Sequence, residues 1–408
     1  MKRATSGWVT GDRFWNRTHE MELFLDYLRD GTNLLLTGQR RIGKTSLLRE
    51  AARRLDGEFI CLQVDLQGAE SSQDAVAELS AATHSYTPLW ERVKSWASGL
   101  TERVSEMSIH EIKVVLRAAL TEGDWREKGD RLFSVLAESK QPVAVFFDEL
   151  PILVNRLLKG EDYTITPQRR RQADQFLSWL RQNCQRYQGR VRVVVTGSIG
   201  LEPIVRQAGL SATVNHLKSF ELPPWDRETA AGCLRALASE YALPITEAVI
   251  DAMLDEVGVF IPHHVQVFFE NVHETYRLRK LTAITASTVK YVYKHKMLGA
   301  RGHAELSHLE ERLKMVLGVH LQGLAIELLT EAAVAGHLSG DGAVYLAKDY
   351  LDPYDPSILR EILDILDHDG YLERRGDRYT FASKLQRDWW KSRFQFLYQP
   401  LSERRRPR

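Results

Sequence analysis

The eight residues Gly38-Gln39-Arg40-Arg41-Ile42-Gly43-Lys44-Thr45 constrain this chain more than any others. They stand between a short apolar run, Asn33–Thr37 (NLLLT), and a helical pattern, SLLREAARRL. Glycines at both ends let the backbone turn tightly and aim successive N–H groups at one point. The helix that follows adds the positive end of its dipole. Strand, turn and helix in this order make a cradle for phosphate, with a lysine and a hydroxyl residue at its far end. Lys44 is expected to reach the β- and γ-phosphates of a nucleotide, and the Thr45 hydroxyl to ligate Mg²⁺. The expected ligand is therefore ATP or ADP with Mg²⁺. Gly38, Gln39, Arg40, Arg41, Ile42, Gly43, Lys44, Thr45 and Ser46 are the expected binding residues.

Such a loop needs a sheet behind it. Besides Asn33–Thr37, short runs apolar on both faces occur at Glu58–Val64, Pro142–Asp148, Val191–Thr196 and His216–Leu222. This is how buried parallel strands read. Five of them with helical crossovers predict a doubly wound α/β sheet. The stretch from Ala69 to Lys140 is helical in pattern throughout and too long for one crossover, so it reads as a helical insertion of about 70–140. Lys159–Arg171 (KGEDYTITPQRRR) reads as a mobile loop leading into a basic helix start. After Pro223-Pro224 the strand signal stops and amphipathic helices follow, with Gly299–His303 as a linker. A helix over His308–Leu317 then leads to helices over Leu321–Ala335, Ala343–Asp349 and Pro356–His368. Gly370–Phe381 reads as a hairpin turning at Gly376-Asp377. Three helices and a hairpin are the winged-helix pattern. The expected division is 1–222 for the core with its insertion, 223–302 for a helical domain, 303–400 for a winged helix, and 401–408 for a basic tail read as disordered.

Two more strand ends carry chemistry. Val143–Glu149 (VAVFFDE) places a carboxylate pair at the end of a neighbouring strand, where burial is costly unless a metal or partner meets the charge. Asp148 is expected to hold Mg²⁺ through water and Glu149 to polarise the attacking water. The strand VRVVVTGS ends in Thr196, Gly197 and Ser198, and either hydroxyl could contact the γ-phosphate or the water. A cationic group on the γ-phosphate aids phosphoryl transfer. Arg206 is the nominated one, with Arg40, Arg41 and Arg169–Arg171 as alternatives.

Composition excludes several classes. The chain has 408 residues and a net charge of +1, so no global field draws it to nucleic acid or acidic lipid. Cys61, Cys184 and Cys233 lie far apart and form no CxxC pair, which argues against a zinc site or a disulfide framework. No apolar run approaches a membrane span and the N-terminus carries no signal-peptide pattern, so a cytoplasmic protein is expected.

The loop GQRRIGKTSLL, the strand VAVFFDELP, the TGSIG strand end, the helical stretch and the terminal winged helix together resemble the prokaryotic STAND/AAA-type P-loop ATPases. More narrowly they resemble the archaeal-ATPase-like branch, in which an Arg-Arg pair sits inside the P-loop. The resemblance covers nearly the whole chain outside the insertion. It implies a P-loop core, a helical lid, and a switch driven by ATP hydrolysis. The implied partner is an effector protein, with nucleotide-dependent self-association. Phe14–Glu20 (FWNRTHE) resembles a segment bordering base and ribose, which nominates Arg17. Gly258–Pro262 (GVFIP) resembles a Gly-x-Pro motif whose proline packs on adenine, which nominates Pro262, although two extra residues intervene. Ala382-Ser383 stand where related proteins carry a nucleotide-sensing histidine.

The alternative reading is an ATP-gated DNA-binding protein resembling origin-recognition ATPases. A winged helix inserts its third helix in the major groove and needs positive charge there. Here that helix carries Asp355, Glu361, Asp364, Asp367 and Asp369 against Arg360. Arg374, Arg375 and Arg378 on the hairpin and the arginines of the tail are the basic groups available. Packing against protein is the favoured use of this module. Trp389-Trp390 and FQFLY are expected to close its core.

Overall fold

The computed structural model describes residues 2–3, 7–94, 108–299, 302 and 306–404. Contacts divide the chain into two compact units. One comprises Arg17–Gly38 and Lys44–Leu222; the other comprises Met1–Asn16, Gln39–Gly43 and Pro223–Arg408.

The first unit is built on β1 (Leu34–Thr37), β2 (Ile60–Asp65), β3 (Val143–Asp148), β4 (Val191–Thr196) and β5 (Lys218–Glu221). All neighbouring pairs are parallel, in the order β2-β3-β4-β1-β5. The five apolar runs are thus the five strands, most of them trimmed at their ends. All of β4, and β3 up to Phe147, are buried, as their near-continuous apolar sequence requires. The edge strand β5 buries Phe220 and exposes its other side chains.

Helices α1 (Thr18–Arg29) and α2 (Lys44–Arg54) flank β1. The insertion holds α3 (Ser72–Ala82), α4 (Thr87–Lys94), α5 (Ile109–Ala118) and α6 (Trp125–Ala137). Its Trp90 and Trp125 are buried. Trp125 meets Trp179 edge-on at 5.4 Å, and Trp179 donates through Nε1 to Asp130 at 2.9 Å. These two tryptophans therefore pack a subdomain and offer no docking face; Trp96 lies outside the described residues. Helix α7 (Leu150–Lys159) follows β3, and α8 (Pro167–Arg186) and α9 (Leu201–Gln207) flank β4.

The stretch expected as a mobile loop is a short turn over 160–166. Pro167 sits in the first helical turn, where a missing N–H costs nothing. Thr166 caps that helix, accepting from the Arg169 N–H at 3.2 Å. The Arg169 guanidinium donates to the Lys159 and Thr164 carbonyls, both at 2.9 Å, and pairs with Asp162. Arg169 thus clamps the turn.

In the second unit, α10 (Arg227–Glu240), α11 (Glu247–Val257), α12 (Pro262–Leu278) and α13 (Ala286–Val292) are followed by α14 (His308–Ala335), α15 (Gly340–Tyr350) and α16 (Pro356–His368). The hairpin strands are β7 (Leu372–Arg375) and β8 (Arg378–Phe381), and α17 (Lys384–Phe394) follows. A further strand, β6 (Leu338–Ser339), pairs antiparallel with β8. Two residues are too few to show an alternating pattern, so this strand was not legible in sequence. Gly318, at φ 76° and ψ 174°, breaks α14 between its two expected segments. Contrary to the sequence reading, α14 is long and apolar enough to cross a membrane by length and composition, although half of its most apolar window is buried within the fold. Trp389 and Trp390 are fully buried, as expected. Phe396 and Leu397 are not: they are 83% and 100% exposed. Tyr293 donates to Asp388 at 2.9 Å and Lys384 pairs with Glu256 at 2.5 Å, tying α17 to the helices that precede α14.

Candidate nucleotide site

Gly38 at φ 131° and Gly43 at φ 104° occupy backbone that side chains rarely adopt, which is why glycine stands at both ends of the turn. Between them, Arg41 takes φ 65° despite its side chain. Lys44 is buried, and its Nζ donates to the Gly38 carbonyl at 2.7 Å, bracing the turn across its mouth. Ile42 is buried; Ser46 is half-buried in the first turn of α2.

Thr45, in the first turn of α2, donates through Oγ1 to Asp148 Oδ2 at 2.8 Å. The strand carrying Asp148 is not the immediate neighbour of β1, since β4 lies between them. The hydroxyl still reaches because α2 starts directly beyond β1. Burial pushes the Asp148 carboxyl above its usual range, against the Thr45 hydrogen bond; the Asp65 charge, its register partner on β2, raises it further and Lys44 opposes.

Glu149 sits at φ 59°, a left-handed conformation uncommon for a residue with a side chain and concentrated at functional sites. Its Oε2 accepts from the Ser198 N–H at 2.7 Å and the Ser198 hydroxyl at 2.9 Å. Burial raises the Glu149 pKa, and the bonds from Ser198 partly counter this. Between the two strand ends, a Cβ on Gly197 would stand 2.7 Å from Pro151 ring carbons and 3.3 Å from Glu149 Oε2. Only glycine lets β4 end this close to the start of α7.

Thr196 does not share the role given to Ser198. It is fully buried and donates to the Leu36 carbonyl at 3.0 Å, inside the sheet. Arg206 is exposed on α9. Arg170 donates to the Ala208 carbonyl at 2.7 Å. Arg17 precedes α1 at φ 65° and is buried. Its Nη1 donates to Glu20 at 2.7 Å, while Nη2 is buried with no hydrogen-bond partner among the described residues. Desolvation lowers its pKa. An orphaned guanidinium nitrogen in a buried position is a place for a ligand oxygen or nitrogen.

In the second unit, Pro262 opens α12 after Ile261. His263, next in sequence, was not singled out from the sequence; its Nε2 lies 2.5 Å from Arg41 Nη1. Gln39 lies over Gly370, where a Cβ would come within 2.9 Å of three of its side-chain atoms. Arg40 is close enough to act electrostatically on the Tyr371 hydroxyl. The tip of the turn, Gln39–Gly43, thus belongs by contact to the unit containing α12 and α16.

The oxygen donors of Thr45 and Asp148 suit a hard divalent cation such as Mg²⁺. Two adjacent half-buried carboxylates with raised pKa values are also sites where added positive charge is favoured.

Sheet order, turn and strand-end carboxylates together define the fold of a P-loop ATPase. No protein-family model and no curated protein sequence matches the chain. Among solved structures, a Walker-type ATPase of Pyrococcus abyssi superposes with a TM-score of 0.60 at 15% identity, covering 95% of this chain and 99% of that one. The ORC2 protein of Aeropyrum pernix, in its ADPNP–ADP complexes, superposes with a TM-score of 0.53 at 13% identity, covering 94% and 95%. At such identities the likeness establishes the fold, across essentially the full length.

Proposed function

We propose that this chain binds and hydrolyses ATP, as a molecular switch of the STAND/AAA type that regulates a protein partner through conformational change or assembly. The observation that carries the reading is the convergence of Lys44, Thr45, Asp148, Glu149 and Ser198 on one end of the sheet. The backbone N–H groups of Gln39–Thr45 and the Lys44 ammonium bind the phosphates. Thr45 and Asp148 hold Mg²⁺, which when bound neutralises charge on the β- and γ-phosphates. Glu149, held by Ser198, accepts a proton from water as the water oxygen bonds to the γ-phosphorus and the bond to the ADP oxygen breaks. Burial has already raised the basicity of Glu149, which suits this task. Arg17 borders the nucleoside, and Arg206 is the nominated cation for the γ-phosphate. The nucleotide complexes of the Aeropyrum pernix protein support nucleotide binding by this architecture.

The C-terminal module has the element order of a winged helix, and its third helix, α16, exposes Asp364 and Asp367 together with its N-cap Asp355. On the hairpin, Arg375 pairs with Glu373, and Arg378 lies 3.9 Å from Asp377. This surface favours protein over the DNA-binding alternative.

The test is light scattering coupled to size exclusion, on wild type and Glu149→Gln, in ADP and in Mg·ATP. The variant is expected to bind ATP, turn it over slowly and assemble only with ATP. A monomer in every state sinks the assembly model and turns attention to DNA binding.

A further inference from the structure

Arg41 carries a side chain in a turn position that favours glycine. Something must hold it there. Its Nη1 lies 2.5 Å from His263 Nε2, and an arginine can only donate, so Nε2 is the acceptor in this contact. The acceptor is itself rigidly placed. Ile261 is extended, Pro262 has its φ restricted by its ring, and together they start α12. His263 is thus fixed by backbone that cannot easily relax. Gly370 beneath Gln39 provides a second contact from the same unit on the same turn.

We propose that His263 is a positioning residue for the phosphate-binding turn: by accepting from Arg41 it holds the tip in the left-handed conformation that aims the N–H groups inward. The helical segment after Pro223 thereby sets the nucleotide affinity of the loop without touching the nucleotide through His263. This rests on the reading of the turn as an ATP site and adds a residue that the motif does not contain.

The experiment measures equilibrium binding of a fluorescent ADP to the full chain. His263→Ala is expected to bind about tenfold more weakly, about 1.4 kcal/mol. His263→Gln keeps a side-chain acceptor and should recover most of that loss. Glycine takes the Arg41 conformation without help, so His263→Ala in an Arg41→Gly background should shift affinity by less than about twofold. An equal loss in both backgrounds, or no loss in His263→Ala, overturns the proposal. If His263→Ala does not fold, His263→Leu fills the space without accepting; wild-type affinity there also overturns it. A wild-type chain that binds no adenine nucleotide removes the underlying ATP-site reading instead.

Discussion

Replacing Ser198 with alanine removes the hydroxyl that donates to Glu149 Oε2 at 2.9 Å and leaves the backbone N–H at 2.7 Å. Hydrogen bonds to charged groups contribute about 1.5–3 kcal/mol. With one of two donors remaining and the site half-buried, the loss falls just below this range, at about 1.4 kcal/mol, or about one pH unit. The sign follows from the chemistry. The bond favours the ionised carboxylate, so its loss raises a pKa that burial has already raised. A base must be ionised to take a proton, so the rate falls as pH drops through that pKa. The acid limb of kcat in Ser198→Ala should therefore move up by about one pH unit, and kcat should approach the wild-type value well above the limb. Steady-state phosphate release at saturating Mg·ATP, measured between about pH 5 and pH 9, reads this directly. Ser198→Thr should restore the limb. An unmoved limb, or one shifted down, would refute Glu149 as the base held by Ser198.

Gly197→Ala forces a Cβ to 2.7 Å from the Pro151 ring, and overpacking of this kind costs about 1–3 kcal/mol in urea denaturation. It should also cut kcat at least tenfold by displacing Glu149, with ADP affinity nearly unchanged; unaltered turnover would mean that this close approach has no catalytic role. The raised pKa of Asp148 means that the folded state binds its proton more tightly than the unfolded chain, so the ionised group destabilises the fold at neutral pH and the penalty fades as pH falls through the raised value. Asp148→Asn should accordingly raise the nucleotide-free Tm at neutral pH and abolish the extra Tm gained from Mg²⁺ with nucleotide; a retained Mg²⁺ increment would remove Asp148 from the metal site. Arg17→Ala should weaken ADP binding several-fold, because its buried Nη2 has no partner among the described residues; unchanged affinity would remove Arg17 from the nucleotide site. Trp389 is fully buried, so Trp389→Ala should cost about 3–5 kcal/mol by denaturant titration.

The sheet and the loop were legible along the chain because both are local. Apolar runs such as VAVFFD and VRVVVT must be buried strands whatever surrounds them. A glycine pair, Lys44 and Thr45 between strand and helix read as a phosphate cradle from local sequence alone. The positive φ at Gly38 and Gly43 is a conformation that glycine permits without steric cost. Three matters needed the tertiary structure. Strand order decided that β4 intervenes between the loop strand and Asp148, and that Ser198 meets Glu149 while Thr196 turns into the sheet. Packing decided that Arg169 clamps a turn and that Trp90 and Trp125 lie inside a helical subdomain. Pairing at long range decided that His263, more than two hundred residues away in sequence, accepts from Arg41. No periodicity or motif encodes such a pairing. It exists only when two distant segments are brought to hydrogen-bonding distance, so neither segment shows it alone.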